Sequence, residues 1–123
     1  MTKAQRETAV SAIAISRMAI GAGAWLAPNL SGRMFGLDPE GNPQLPYVGR
    51  LSGARDVALG AGTLRSPRKH KDAWLTAGFA CDVADVAAGM LAGVRGQLPA
   101  SAAALVSATA GMFALAGARL LTQ

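Results

Sequence analysis

Most of the chain consists of four long apolar segments. Short stretches that contain polar residues, glycine and proline separate these segments. Each segment is close to the ~20 residues that a helix needs to cross a ~30 Å hydrocarbon core. Prolines stand near the segment borders, where the first turn of a helix tolerates them. The pattern predicts one domain over residues 1–123, with helices over residues 5–27, 45–65, 71–94 and 99–121.

The longest connecting stretch, residues 31–46, is rich in glycine, proline and asparagine. These residues favour turns, so the pattern predicts an external loop without regular structure. The apolar residues Met34, Phe35 and Leu37 within this loop are expected at the membrane interface.

Basic residues are distributed unevenly among the connections and termini. In an arrangement of four alternating spans, one side carries Arg33 and Arg95, and the other carries more, namely Lys3, Arg6, Arg65, Arg68, Lys69, Lys71 and Arg119. Cytoplasmic loops of membrane proteins carry the excess of lysine and arginine. The sequence therefore predicts an all-α fold, a four-helix transmembrane bundle with both termini in the cytoplasm.

Composition favours a membrane protein over a soluble one. Charged residues make up 15% of the chain and aromatic residues 5%, whereas 15 residues are glycine; soluble domains carry about 25% charged residues. The net charge of +5 could indicate nucleic-acid binding, but the basic residues lie between apolar segments and not along one face. We therefore expect the lipid bilayer, and not nucleic acid, as the surrounding partner.

Two pairs of glycines follow the GxxxG spacing that places small residues on one helix face. Gly49 and Gly53 lie in the second segment, and Gly89 and Gly93 in the third. Small residues let membrane helices approach closely. We expect these four glycines to serve helix packing, either within the chain or in a homo-oligomer or a complex with another membrane protein.

Six charged residues fall inside the first three segments, away from the predicted borders: Arg17, Arg50, Arg55, Asp56, Asp82 and Asp85. Each such charge costs at least ~2.5 kcal/mol at the centre of a span, so the three arginines and three aspartates are expected to pair as a neutral, buried network. Two interpretations stay open. The network either locks weakly apolar helices together, or lines a polar site for a small ligand or a proton relay.

Three stretches carry a resemblance that covers most of the chain: RMFGLDP (residues 33–39), GRLSGARDVALGAG (residues 49–62) and CDVADVAAG (residues 81–89). Together they resemble small uncharacterised bacterial four-span membrane proteins that look similar to DoxX-like proteins. The resemblance implies a four-helix membrane fold and a multi-pass location in the bacterial cytoplasmic membrane. It implies no agreed activity.

The residue types give little support for catalysis. The chain has one histidine and one cysteine, Cys81, so it contains no cysteine pair or metal-ligand motif. No catalytic residue, metal site or cofactor is predicted, and a role other than catalysis is favoured. The alternatives are a structural or accessory membrane subunit, an enzyme that acts on a lipophilic substrate through an aspartate and an arginine, and a soluble helical bundle with the charges on solvated faces.

Overall fold

The computed structural model describes all 123 residues and contains five α-helices and no strand. Four long helices and one short one follow each other along the chain. Their bounds are α1 Lys3–Leu26, α2 Pro28–Met34, α3 Leu45–Arg65, α4 Arg68–Val94 and α5 Ala100–Leu121. The all-α class is thereby confirmed.

Local sequence signals account for the helix ends. The side chains of Thr2 and Gln5 exchange hydrogen bonds with each other's backbone N–H in a capping box that begins α1. Helices α2 and α4 are each followed by a glycine at positive φ, Gly36 at 80° and Gly96 at 70°. The N–H groups after each helix then bond back in the Schellman pattern, for example Leu37 N–H to the Gly32 carbonyl at 2.9 Å.

Helices α1 and α3 form an antiparallel pair whose backbones lie in close contact at glycines. A Cβ on Gly53 would clash with the carbonyl oxygen of Gly21, and a Cβ on Gly60 would lie 2.6 Å from that of Ala14. Gly49 packs in the same groove, against Pro28. The absence of side chains is therefore what allows the two helices to approach so closely.

Helices α4 and α5 form the second antiparallel pair by the same means. A Cβ on Gly89 would lie 2.6 Å from Ser107 Oγ, and one on Gly93 would lie 2.7 Å from Ala103 Cβ. Both predicted GxxxG glycine pairs thus lie in contacts within the chain.

The two helix pairs meet at one end of the bundle, here called the terminal end because both chain termini lie there. Val10, Leu75 and Leu120 form a buried cluster that joins α1, α4 and α5. Arg6 donates two hydrogen bonds to the Leu120 carbonyl, and Lys71 Nζ donates to the carbonyls at the end of α3. Elsewhere the pairs stand apart: neither α1 and α4 nor α3 and α5 bring any Cα atoms within 8 Å of each other.

The prediction of four transmembrane helices is wrong. Three helices, α1, α4 and α5, are long and apolar enough to cross a membrane. Helix α3 has 21 residues but carries Arg50, Arg55 and Asp56, and charged groups near a helix centre are too costly in lipid for such a segment to qualify by itself. The predicted placement of both termini in the cytoplasm depended on four crossings, so this prediction is withdrawn as well.

The prediction for residues 31–46 also needs correction, because α2 occupies Pro28–Met34 and extends into that stretch. Pro28 marks the end of the first apolar segment in the sequence. It also fits the first turn of the next helix, where its missing N–H would have no partner anyway.

The surface of the bundle is apolar while its interior holds charges. Arg17 is 8% exposed and Asp82 is 3% exposed. Large apolar side chains of the three candidate spans face outward, including Ile15, Trp25, Leu26, Val83, Met90, Leu91, Val94, Leu105, Met112 and Leu115. Soluble proteins bury such residues and expose charged ones. The inverted distribution is the one that a lipid environment stabilises.

Candidate functional site

A buried ion pair between α1 and α4 forms the centre of the site. Arg17 Nη1 donates to Asp82 Oδ1 at 2.9 Å and Nη2 donates to Oδ2 at 2.6 Å, so the guanidinium and the carboxylate match in a two-bond fork. Gly78 leaves room for the arginine, since a Cβ there would lie 3.1 Å from Arg17 Nη2. The Phe113 ring of α5 covers the guanidinium with its centroid 5.0 Å from Cζ.

A second fork joins α3 to α4 one helical turn further along. Arg55 Nη1 and Nη2 donate to the two carboxylate oxygens of Asp85 at 3.0 and 2.6 Å. This pair is more open than the first, because the side chains of Arg55 and Asp85 are 34% and 39% exposed. Asp82 and Asp85 thus use one face of α4 to hold an arginine from each of the opposite helices.

Asp56 lies between the two forks and has no short partner of its own. Its Oδ1 is 3.4 Å from Arg55 Nη2 and 3.8 Å from Arg17 Nη1. Both guanidinium groups already hold a carboxylate at 2.6 Å, so Asp56 receives only their longer contacts. Its side chain is 18% exposed.

Arg50 does not join this network. It is exposed, and its Nε donates to the Trp25 carbonyl at 3.1 Å at the border of α1. The expected balance of three arginines and three aspartates is therefore replaced by two arginines and three aspartates. With all five groups ionised, the network carries a formal charge of −1.

A cavity of about 390 Å³ lies over the network, between the two helix pairs. Its floor, here called the charged floor, is formed by Arg17, Arg55, Asp56, Asp82 and Asp85. Its walls are mainly apolar and come from the halves of α1, α3, α4 and α5 that point away from the terminal end. They include Ile20, Val48 and Val106, and the other half of α5 adds Phe113.

Residues 28–44, here called the cap segment, lie at the end of the cavity opposite the termini. Phe35 and Leu37 line the cavity from this segment. A Cβ on Gly36 would lie 3.4 Å from Ala102, so the segment reaches the start of α5. Phe35 and Leu37 were expected at the membrane interface, and their apolar character was the one sign in the sequence that this stretch packs.

The chemistry of the site is that of binding and charge pairing. No group of three or more His, Cys, Asp or Glu side chains is arranged to hold a metal ion. Each fork uses one N–H of each terminal guanidinium nitrogen, and the buried Nε of Arg55 has no hydrogen-bond partner. A molecule in the cavity meets the carboxylate of Asp56, the apolar walls and the aromatic ring of Phe113. It also meets three hydroxyl groups, those of Ser31, Ser52 and Thr109.

Comparison with known proteins gives no relative for this chain: no family model, no curated protein and no solved structure matches it. The resemblance to DoxX-like proteins therefore stays a prediction. The function has to be argued from the geometry of the site.

Proposed function

We propose that this chain is a multi-pass protein of the bacterial cytoplasmic membrane whose cavity binds a small ligand above the charged floor. The observation that carries the proposal is the cavity itself. A network that served only to lock helices would be stabilised best by tight packing around it. Here about 390 Å³ of space lies directly on the ion pairs, which falls in the range of ~300–1,000 Å³ that small-molecule sites occupy.

The terminal end favours ligand binding over a proton relay through the bundle. Below Arg17, the apolar side chains Val10, Leu75 and Leu120 form a buried cluster, and only a pocket of about 10 Å³ beside Thr63 separates the cluster from the arginine. A relay would require polar groups or water across this cluster, because an unsolvated proton path through apolar side chains is prohibitively costly. The cavity therefore ends blindly at the charged floor, as a binding site would.

A purely accessory role is less well supported. The glycines that would bind a partner helix, Gly49, Gly53, Gly89 and Gly93, are used in contacts between the helices of this chain. No specific observation favours an enzyme that acts on a lipophilic substrate through an aspartate and an arginine.

Membrane location is tested by fractionation of cells that express the chain. The protein should stay with membranes during washes with high salt and with carbonate, and should leave them in detergent. Recovery in the washes would contradict the membrane part of the proposal.

Ligand binding is tested by thermal unfolding of the detergent-purified protein with three aromatic probes of different charge: benzyltrimethylammonium, neopentylbenzene and benzenesulfonate. At least one probe should raise Tm, because a ligand at 100 times its Kd adds about 2.7 kcal/mol to the stability of the folded state. Ala88→Trp, which places an indole in the cavity, should abolish the shift. Ala87→Trp is the matched control, because Ala87 is a neighbour that does not line the cavity.

The absence of any shift with all three probes would contradict the ligand-binding proposal. A shift that Ala87→Trp and Ala88→Trp reduce equally would contradict the assignment of binding to this cavity.

A further inference from the structure

The charge balance of the cavity points to the class of its ligand, and the inference that follows rests on the proposed binding function. Two arginines face three aspartates across the charged floor, and each arginine makes a forked pair with one of them. The third, Asp56, has contacts of 3.4 and 3.8 Å only. A carboxylate that is mostly removed from solvent and has only long ion-pair contacts favours a further positive charge nearby.

An anionic ligand does not fit this arrangement. Asp82 and Asp85 already hold the two guanidinium groups through hydrogen bonds of 2.6 Å, so an anion would compete with these carboxylates for the same positive charges. It would also add negative charge to a floor that already carries a formal charge of −1. In a site of low dielectric constant, such repulsion is several times stronger than in water.

A bare metal cation also lacks what it needs. Hard cations require several oxygen ligands, and the carboxylates of Asp82 and Asp85 are held by arginines. The walls around Asp56 offer mainly carbon atoms, including Ile20, Val48 and the Phe113 ring. These surfaces suit an apolar body, and an aromatic face also attracts organic cations.

We infer that the cavity binds a monovalent organic cation with a compact apolar body, and that Asp56 is its counter-ion. The cationic group lies on the charged floor and brings its formal charge to zero. The apolar body lies against the walls below the cap segment. The volume of about 390 Å³ limits the ligand to a single small molecule.

The test compares two probes of the same shape. Benzyltrimethylammonium and neopentylbenzene differ in one atom, nitrogen against carbon, and so in one positive charge. By equilibrium dialysis of the purified protein in detergent, with protein-free micelles subtracted, the cation should bind at least about tenfold more tightly. Asp56→Asn should remove this preference and leave the affinity for neopentylbenzene within about twofold of wild type.

Asp72→Asn is the matched control. It makes the same change of charge at the terminal end, where Asp72 is 64% exposed and pairs with Arg6, and it should leave the preference intact. Asp56→Glu, which keeps the charge, should also retain it. If Asp56→Asn does not fold, the comparison of the two probes on the wild-type protein still decides between cation and neutral ligand.

Tighter binding of neopentylbenzene or of benzenesulfonate than of the cation would overturn the inference while the proposed ligand-binding function stood. A cation preference that survives in Asp56→Asn would overturn the role of Asp56. Failure of all three probes to bind would instead contradict the proposed function itself.

Discussion

Arg17 and Asp82 join two helices that have no backbone contact. Their side chains form a two-bond fork of 2.9 and 2.6 Å, although α1 and α4 bring no Cα atoms within 8 Å of each other. The long arginine side chain thus spans the space between the helix pairs at the depth where the cavity ends. The pair therefore both connects the halves of the bundle and forms part of the floor of the site.

The first prediction concerns this pair. Asp82→Asn leaves the buried guanidinium of Arg17 without its main counter-charge, and should lower the free energy of unfolding by about 3–5 kcal/mol. Reversible unfolding in mixed micelles with increasing dodecyl sulfate measures the loss. The double variant Arg17→Met/Asp82→Leu should recover at least half of it, because no unpaired charge of this pair then remains.

Asp85→Asn serves as the comparison. Its partner Arg55 is one-third exposed and lines the cavity, so its charge is less desolvated than that of Arg17, and the loss of stability should be smaller than at position 82. Equal losses at positions 82 and 85 would show that burial does not set the strength of the two pairs.

The second prediction concerns the contact between α1 and α3. Gly53→Ala places a Cβ against the carbonyl oxygen of Gly21 and should destabilise the fold by about 1–3 kcal/mol, as overpacking does. Gly111→Ala is the control, because the nearest atom to its Cβ would be 3.9 Å away. It should be neutral or stabilise by up to about 1 kcal/mol through helix propensity. A tolerated Gly53→Ala would contradict the close contact.

The sequence was sufficient to predict the long helices and the residues of the charged floor, because apolar runs of this length and charges within them are local features. It was not sufficient to predict partners. Spacing places Asp82 and Asp85 on one face of α4, but which arginine meets which aspartate depends on how far apart the helix pairs lie. For the same reason, the sequence left open whether the charges lock the helices together or line a polar site.

Arg50 shows why depth along a segment is a poor guide to role. Its position in the sequence predicted that it joins the same network as Arg55. Its side chain instead leaves α3 on another face and donates to the Trp25 carbonyl outside the network. The prediction of an electrically neutral network was therefore wrong as well. Membership of a buried network depends on the helix face, which only packing determines.

The third prediction tests the glycine that ends α4. Gly96 has φ of 70°, and a Cβ added to it would meet no atom within 4 Å, so Gly96→Ala isolates the cost of a left-handed backbone, about 1–2 kcal/mol. Gly96→Asn should cost less, because asparagine visits this region more readily. Thermal unfolding compares the two variants. Equal stabilities of the alanine variant and wild type would contradict the observed Schellman ending.

The fourth prediction concerns pH in the cap segment. The hydrogen bond from Arg33 to Glu40 holds the pKa of the Glu40 carboxyl below its ordinary value. A depressed pKa in the folded state means that the contribution to stability is present above the unfolded pKa and is lost as pH falls through the folded one. Carbon-detected NMR of the carboxyl should show the low pKa, and Arg33→Gln should raise it towards the ordinary value. An unchanged value would contradict the pairing.

The fifth prediction separates a membrane protein from a soluble bundle. Met112 lies near the middle of α5, faces outward and is 71% exposed. In lipid, Met112→Lys places a charge near the bilayer centre at a cost of about 2.5–3.5 kcal/mol, so less protein should reach the membrane fraction. In water the same change would replace an exposed apolar side chain and increase solubility. Val94→Lys is the control: this residue is 86% exposed at the end of α4, where a lysine can extend to the interface. A larger amount of Met112→Lys than of Val94→Lys in the membrane fraction would contradict the placement of α5 in the bilayer.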